Sequence, residues 1–114
     1  MSDIASIRRT AAYTRLMRET LAALPMCADP FGLHPLPFPA CEAHHIIGLV
    51  ARPDLAMCRG NLAPLCRTCH KRIEREPATE RCFRSCVRLA GECEQPEIGR
   101  EYMEMWRAWR NSRP

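Results

Sequence analysis

Between residues 25 and 41 the chain reads PMCADPFGLHPLPFPAC, with prolines at 25, 30, 35, 37 and 39. Proline fixes φ, lacks a backbone N–H and clashes with the preceding helical turn, so this stretch can be neither helix nor central strand. It must be a loop that wraps or tethers something, and it separates an N-terminal segment from the rest of the chain. Two metal-competent side chains, Cys27 and His34, sit inside it. A chain of 114 residues supports one modest core but not two, so a single domain over 1–114 is expected.

Before the loop, Ile4, Ile7, Ala11, Leu16, Met17, Leu21 and Leu24 recur at close to helical spacing, with Arg8, Arg9, Arg15 and Arg18 elsewhere. This pattern predicts an amphipathic helix over 3–24 that stops at Pro25. After the proline-rich loop (25–40), short strands are expected at 41–47 and 62–65, then a helix over 69–76 limited by Pro77. A further helix is expected over 79–90, with Cys82, Phe83, Cys86 and Val87 on one face and Gly91 as its stop. The last helix, 97–111, carries Ile98, Tyr102, Met105, Trp106 and Trp109 at helical spacing, which read as core rather than as a binding platform. The C-terminal helices thus fall within 78–111, and the class is α+β, mostly α by residue count.

Composition narrows the setting. Hydrophobic content of 46% and charged content of 26% argue against wholesale disorder. No apolar run approaches the roughly 18 residues of a membrane span, and the N-terminus has scattered arginines but no signal-like apolar region. The expected setting is cytoplasmic, without a membrane partner. In a reducing compartment eight cysteines suggest metal ligation before disulfides. The net charge is +4 and Lys71 is the one lysine among 17 basic residues. Arginine suits phosphate through its planar fork of donors, although GC-rich codon usage gives the same bias.

Three pieces carry chemistry: CEAHHII at 41–47, NLAPLC at 61–66 and CRTCHKRIE at 66–74. Adjacent strand residues face opposite ways, so His44 and His45 are an odd pair for a core but suit one ligand and one proton acceptor. His70 and Glu74, four apart, share a helix face, and His44 can complete a set of three metal ligands. Singly, each histidine reads as a satisfied core or surface residue, and Glu74 as the ion-pair partner of Lys71 or Arg75. As an ordered set with Asn61 they carry more weight.

Together these pieces, over about residues 41–76, resemble the HNH endonuclease family. The resemblance implies a ββα-metal core over 41–76, a strand-loop-strand followed by a metal-binding helix. It implies His44, His70 and Glu74 as ligands of a catalytic divalent ion, His45 as general base, and Asn61 as the residue that braces the loop and fixes the His45 ring. The position of Glu74 varies in the family among His, Asn and acidic residues. Many relatives have proline three residues after the second histidine, where this chain has Gly48. Imidazole and carboxylate ligands admit Mg²⁺, Mn²⁺, Ni²⁺ or Zn²⁺.

Cys66 and Cys69 form a C-x₂-C knuckle suited to a structural Zn²⁺. Relatives often supply a second C-x₂-C upstream, and this chain has none. Hairpin geometry puts Cys41 beside Cys66 and disfavours Cys58. The expected set is therefore Cys66, Cys69, Cys41 and Cys27, with His34 as a substitute. Cys82 and Cys86 read as small core residues, and Cys93 has no assigned role.

The implied function is a metal-dependent DNA endonuclease that hydrolyses phosphodiester bonds, leaves a 5′-phosphate and has weak sequence selectivity. Family context adds phage or mobile-element roles, with packaging or recombination proteins as partners. The alternative is an inactive zinc-stabilised module that binds nucleic acid or protein. A cysteine hydrolase lacks any signature tying one thiol to one base.

Overall fold

Thr10 sets the first boundary. Its Oγ1 accepts from the backbone N–H of Tyr13 at 3.1 Å and donates to the Ile7 carbonyl at 2.8 Å, so one hydroxyl ends a helix and caps the next. The computed structural model describes residues 4–75 and 94–112. Within it the segment expected as one helix over 3–24 is two, α1 (Ile4–Arg8) and α2 (Ala11–Ala23). Apolar periodicity survives the break, which is why the pattern alone did not reveal it.

Pro25 follows α2, and the proline-rich loop closes on itself. Cys27 N–H donates to the Phe38 carbonyl (2.7 Å), Ala40 N–H to the Pro25 carbonyl (2.8 Å), and Met26 bridges Pro39. Asp29 (φ 51°) and Gly32 (φ 66°) take left-handed conformations. The Asp29 carboxylate repays the bend by accepting from Leu33 N–H at 2.7 Å. Ala28 N–H then donates to the Pro64 carbonyl at 2.8 Å, which fastens the loop to the sheet.

The sheet is one antiparallel pair, β1 (Glu42–His45) and β2 (Leu62–Leu65), with Glu42 opposite Leu65 and His45 opposite Leu62. β1 stops two residues short of the expected 41–47 for a visible reason. The N–H and C=O of Ile47 are both taken by the Asn61 side chain, at 2.8 and 3.0 Å, so the ladder cannot continue. Short 3₁₀ turns at Pro53–Leu55 and Arg59–Asn61 lead back to β2.

Among the described residues, α3 (Arg67–Arg75) and α4 (Pro96–Ser112) join these elements in a small α+β fold. Ile98 of α4 packs with Ile46, Ile47 and Ala63, while Leu65, Cys66 and Cys69 form a second cluster against Cys27, Phe31 and Ile73. Arg52 spans Asp54 and Glu101, tying the connection between the strands to α4. The expected core stripe of α4 holds only in part: Ile98 is buried and Tyr102 lines the core, but Met105 is exposed and Trp106 lies under the Arg110 guanidinium at 4.7 Å. The helix runs past the small cluster that it covers. The expected helix over 79–90, with Cys82 and Cys86, and Cys93 after it, lie outside the described residues. Among the described residues no helix is long and apolar enough to cross a membrane.

Candidate functional site

Two sites flank α3. The first lies where the proline-rich loop meets the end of β2. Cys27, His34, Cys66 and Cys69 bring their ligand atoms within 4.8 Å of one another, a group that can hold a metal ion. His34 Nε2 stands 3.3 Å from Cys66 Sγ and 3.6 Å from Cys69 Sγ. The ring is held by stacking on Phe38, centroids 4.7 Å apart at 7°. Backbone N–H groups point at the sulfurs, from Asp29 to Cys27 at 3.4 Å and from Cys69 to Cys66 at 3.5 Å. Such contacts favour thiolate. Burial raises the Cys27 and Cys69 thiols. At Cys66 burial also acts upward, but the Cys69 N–H, the His34 ring and the neighbouring thiols outweigh it and bring the thiol to about 7. Three sulfurs and one imidazole are a donor set that suits a tetrahedral soft ion.

Cys41 is not in this group. Its backbone does lie beside β2, with its N–H on the Leu65 carbonyl at 3.0 Å, yet the residue is exposed. Backbone adjacency at the frayed end of a hairpin does not aim a thiol inward, and the substitute His34 occupies the fourth place. Cys58 stands apart, its sulfur accepting from Gln95 Nε2 at 2.8 Å.

The second site is a cleft of about 350 Å³ on the other side of α3, lined by His44, His45, His70 and Glu74 together with Arg8 and Tyr13. The His44 and His70 rings meet edge-on, centroids 5.2 Å apart. His70 Nε2 lies 3.5 Å from Glu74 Oε1, close to the roughly 3 Å that separates two ligands of one cation with bonds of about 2.1 Å. The other nitrogen, Nδ1, bonds the Glu42 carboxylate, a brace of the kind that orients ligating histidines. Burial, with His70 and then His45 nearby, brings the His44 imidazole down to about 4, so it is neutral near pH 7 with a lone pair to offer. Two imidazoles and a carboxylate therefore fit a divalent cation in kind. Among the described residues, however, only the Cys/His group gathers within 4.8 Å; His44, His70 and Glu74 share the cleft without closing to that degree.

His45 is 8% exposed. Its ring lies near-parallel to Tyr13, centroids 6.0 Å apart, and Nε2 sits 3.1 Å from the Ala56 carbonyl. Burial lowers its pKa, the Ala56 bond opposes this and the Arg8 charge adds to it. Asn61 is fully buried and, besides Ile47, reaches the Leu55 carbonyl at 3.4 Å. Its hydrogen bonds brace the loop and go to Ile47 and Leu55, while the His45 ring is held by the next carbonyl along, Ala56. Glu42, Ala56, Arg8 and Tyr13 carry no sequence signal at a motif spacing. Glu42 was visible only as an acidic residue two before His44.

Residues 25–76 match the family model described as HNH endonuclease. Over this stretch, a little under half of the chain, the protein is similar to HNH endonucleases. The match takes in the proline-rich loop with Cys27 and His34, so the HNH segment is longer than the 41–76 span that the motif spacing suggests. No curated protein and no solved structure matches the chain.

Proposed function

We propose that the chain is a metal-dependent endonuclease acting on DNA phosphodiester bonds, built as one domain and clipped by a structural zinc. The observation that carries this reading is the ring of His45. A carbonyl can only accept, so Nε2 facing Ala56 carries the ring proton and Nδ1 is left as the lone-pair nitrogen. Burial favours the neutral ring. A buried neutral imidazole with a fixed tautomer, in a cleft beside two further histidines and a carboxylate, is the arrangement a general base needs.

In this mechanism Nδ1 of His45 takes the proton of a water that attacks phosphorus. Tyr13 and the Ala56 carbonyl keep the ring from rotating, and Asn61 holds the loop that presents that carbonyl. His44, His70 and Glu74 would hold the divalent ion, with Glu42 fixing the His70 ring. When bound, the ion supplies positive charge to the phosphate and the leaving 3′ oxygen, consistent with a 5′-phosphate product. Cys27, His34, Cys66 and Cys69 would hold zinc, which positions the start of α3 and hence His70.

Supercoiled plasmid incubated with Mg²⁺, Mn²⁺, Ni²⁺ or Zn²⁺ tests the reading. Nicked or linear product that EDTA abolishes is the expected result. One observation favours the alternative, a zinc-stabilised binding module. The Cys/His group is already drawn together, whereas the cleft ligands are not. Plasmid left intact with every ion, by protein that retains its zinc, would decide for that module.

A further inference from the structure

The HNH match begins at residue 25, yet one wall of the cleft comes from earlier in the chain. Arg8 ends α1 and Tyr13 lies in the first turn of α2, and both line the cleft with His44, His45, His70 and Glu74. The Thr10 break makes this possible, because a continuous helix would not turn between them. Tyr13 stacks on His45. Arg8 is exposed, and among the described residues no carboxylate pairs with it. Glu74, the carboxylate lining this cleft, leans to His70 instead.

We infer that Arg8 is a substrate-binding residue that holds a backbone phosphate of the nucleic-acid strand entering the cleft. The inference rests on the nuclease reading for its site, but not for its readout. A guanidinium at the mouth of the cleft, with no carboxylate partner among the described residues, attracts an anion, and its planar fork matches two phosphate oxygens. Its place beside the Tyr13–His45 stack puts the bound phosphate next to the proposed base. The commonplace alternative is a solvated surface arginine, and the two differ in what removing it does to binding.

The test uses the full-length, zinc-loaded chain and a fluorescein-labelled DNA duplex, titrated by anisotropy without added Mg²⁺ or Mn²⁺ over a range of salt. Arg8→Ala should weaken binding about tenfold and make the log–log salt dependence shallower by about one, the loss of one phosphate contact. Arg8→Lys, which keeps the charge but not the fork, should keep the wild-type salt slope and bind with an affinity between wild type and Arg8→Ala. Arg107→Ala on α4, outside the cleft, should change affinity less than about twofold. In plasmid cleavage, Arg8→Ala should raise KM more than it lowers kcat. Arg8→Ala with wild-type affinity and slope would overturn the inference, as would a loss confined to kcat or a wild type that does not bind DNA. If the wild type cuts nothing but Arg8→Ala still weakens binding with the shallower slope, the nuclease reading fails and the phosphate site stands. If the wild type cuts and Arg8→Ala binds and cuts alike, the reverse holds.

Discussion

Burial of the His45 ring has a direct consequence for pH. A base works in its neutral form, and burial moves its pKa below the ordinary 6.5, so the neutral form persists to lower pH. Cleavage under kcat/KM conditions should therefore rise with pH through a midpoint below 6.5 and be flat from there to about pH 8. A midpoint above 6.5 would mean that the ring is not the buried base described. Asn61 acts through stability. Its amide satisfies both backbone groups of Ile47 inside the core, and removal orphans them at about 1–3 kcal/mol each. Asn61→Ala should cost about 2–4 kcal/mol in urea unfolding, before any effect on rate. At this scale the sequence was most legible in which residues come together, since their placement follows chain order. His44, His45, Asn61 and His70 border one cleft and its loop as the motif suggests. Ala56 was illegible because any residue supplies a carbonyl, and Glu42 because its partner His70 is brought to it only by the fold.

Elements were legible where local rules act alone. β2 at 62–65 and the start of the last helix follow from hydrophobic spacing and from Pro96. Boundaries set by a side chain reaching across the structure did not. β1 ends where Asn61 intercepts Ile47, and one amphipathic stripe became α1 and α2 because Thr10 serves both. Gly48 belongs to this scale. The turn out of β1 invites the view that it needs glycine, yet its φ is not positive and an added Cβ would meet nothing within 4 Å. Gly48→Ala should change stability by no more than about 1 kcal/mol, in the stabilising direction through the unfolded chain, as read from the urea midpoint. A loss beyond that would show that the turn depends on backbone freedom.

At the scale of the molecule, two of the three buried members of the second apolar cluster among the described residues, Cys66 and Cys69, are also ligand candidates. Metal is therefore expected to act as core. Stripping zinc with a strong chelator should release about one equivalent and abolish cooperative thermal unfolding, and zinc should restore it. Cys27→Ser and His34→Ala should weaken zinc retention, while Cys41→Ser should not. Zinc lost on Cys41→Ser and kept on His34→Ala would reverse the assignment. A metal held there would fasten the proline-rich loop to the start of α3, and so link the tether to His70 and the cleft. The account turns on one division of labour there: His44 holds an ion and its neighbour in sequence stays outside the coordination sphere. Mn²⁺ binding and single-turnover cleavage, measured together on His44→Ala and His45→Ala, test it most directly. His45→Ala should keep Mn²⁺ affinity within about threefold while cleavage falls at least about a hundredfold, and His44→Ala should lose both. Loss of Mn²⁺ affinity in His45→Ala, or undiminished cutting by it, would contradict the account.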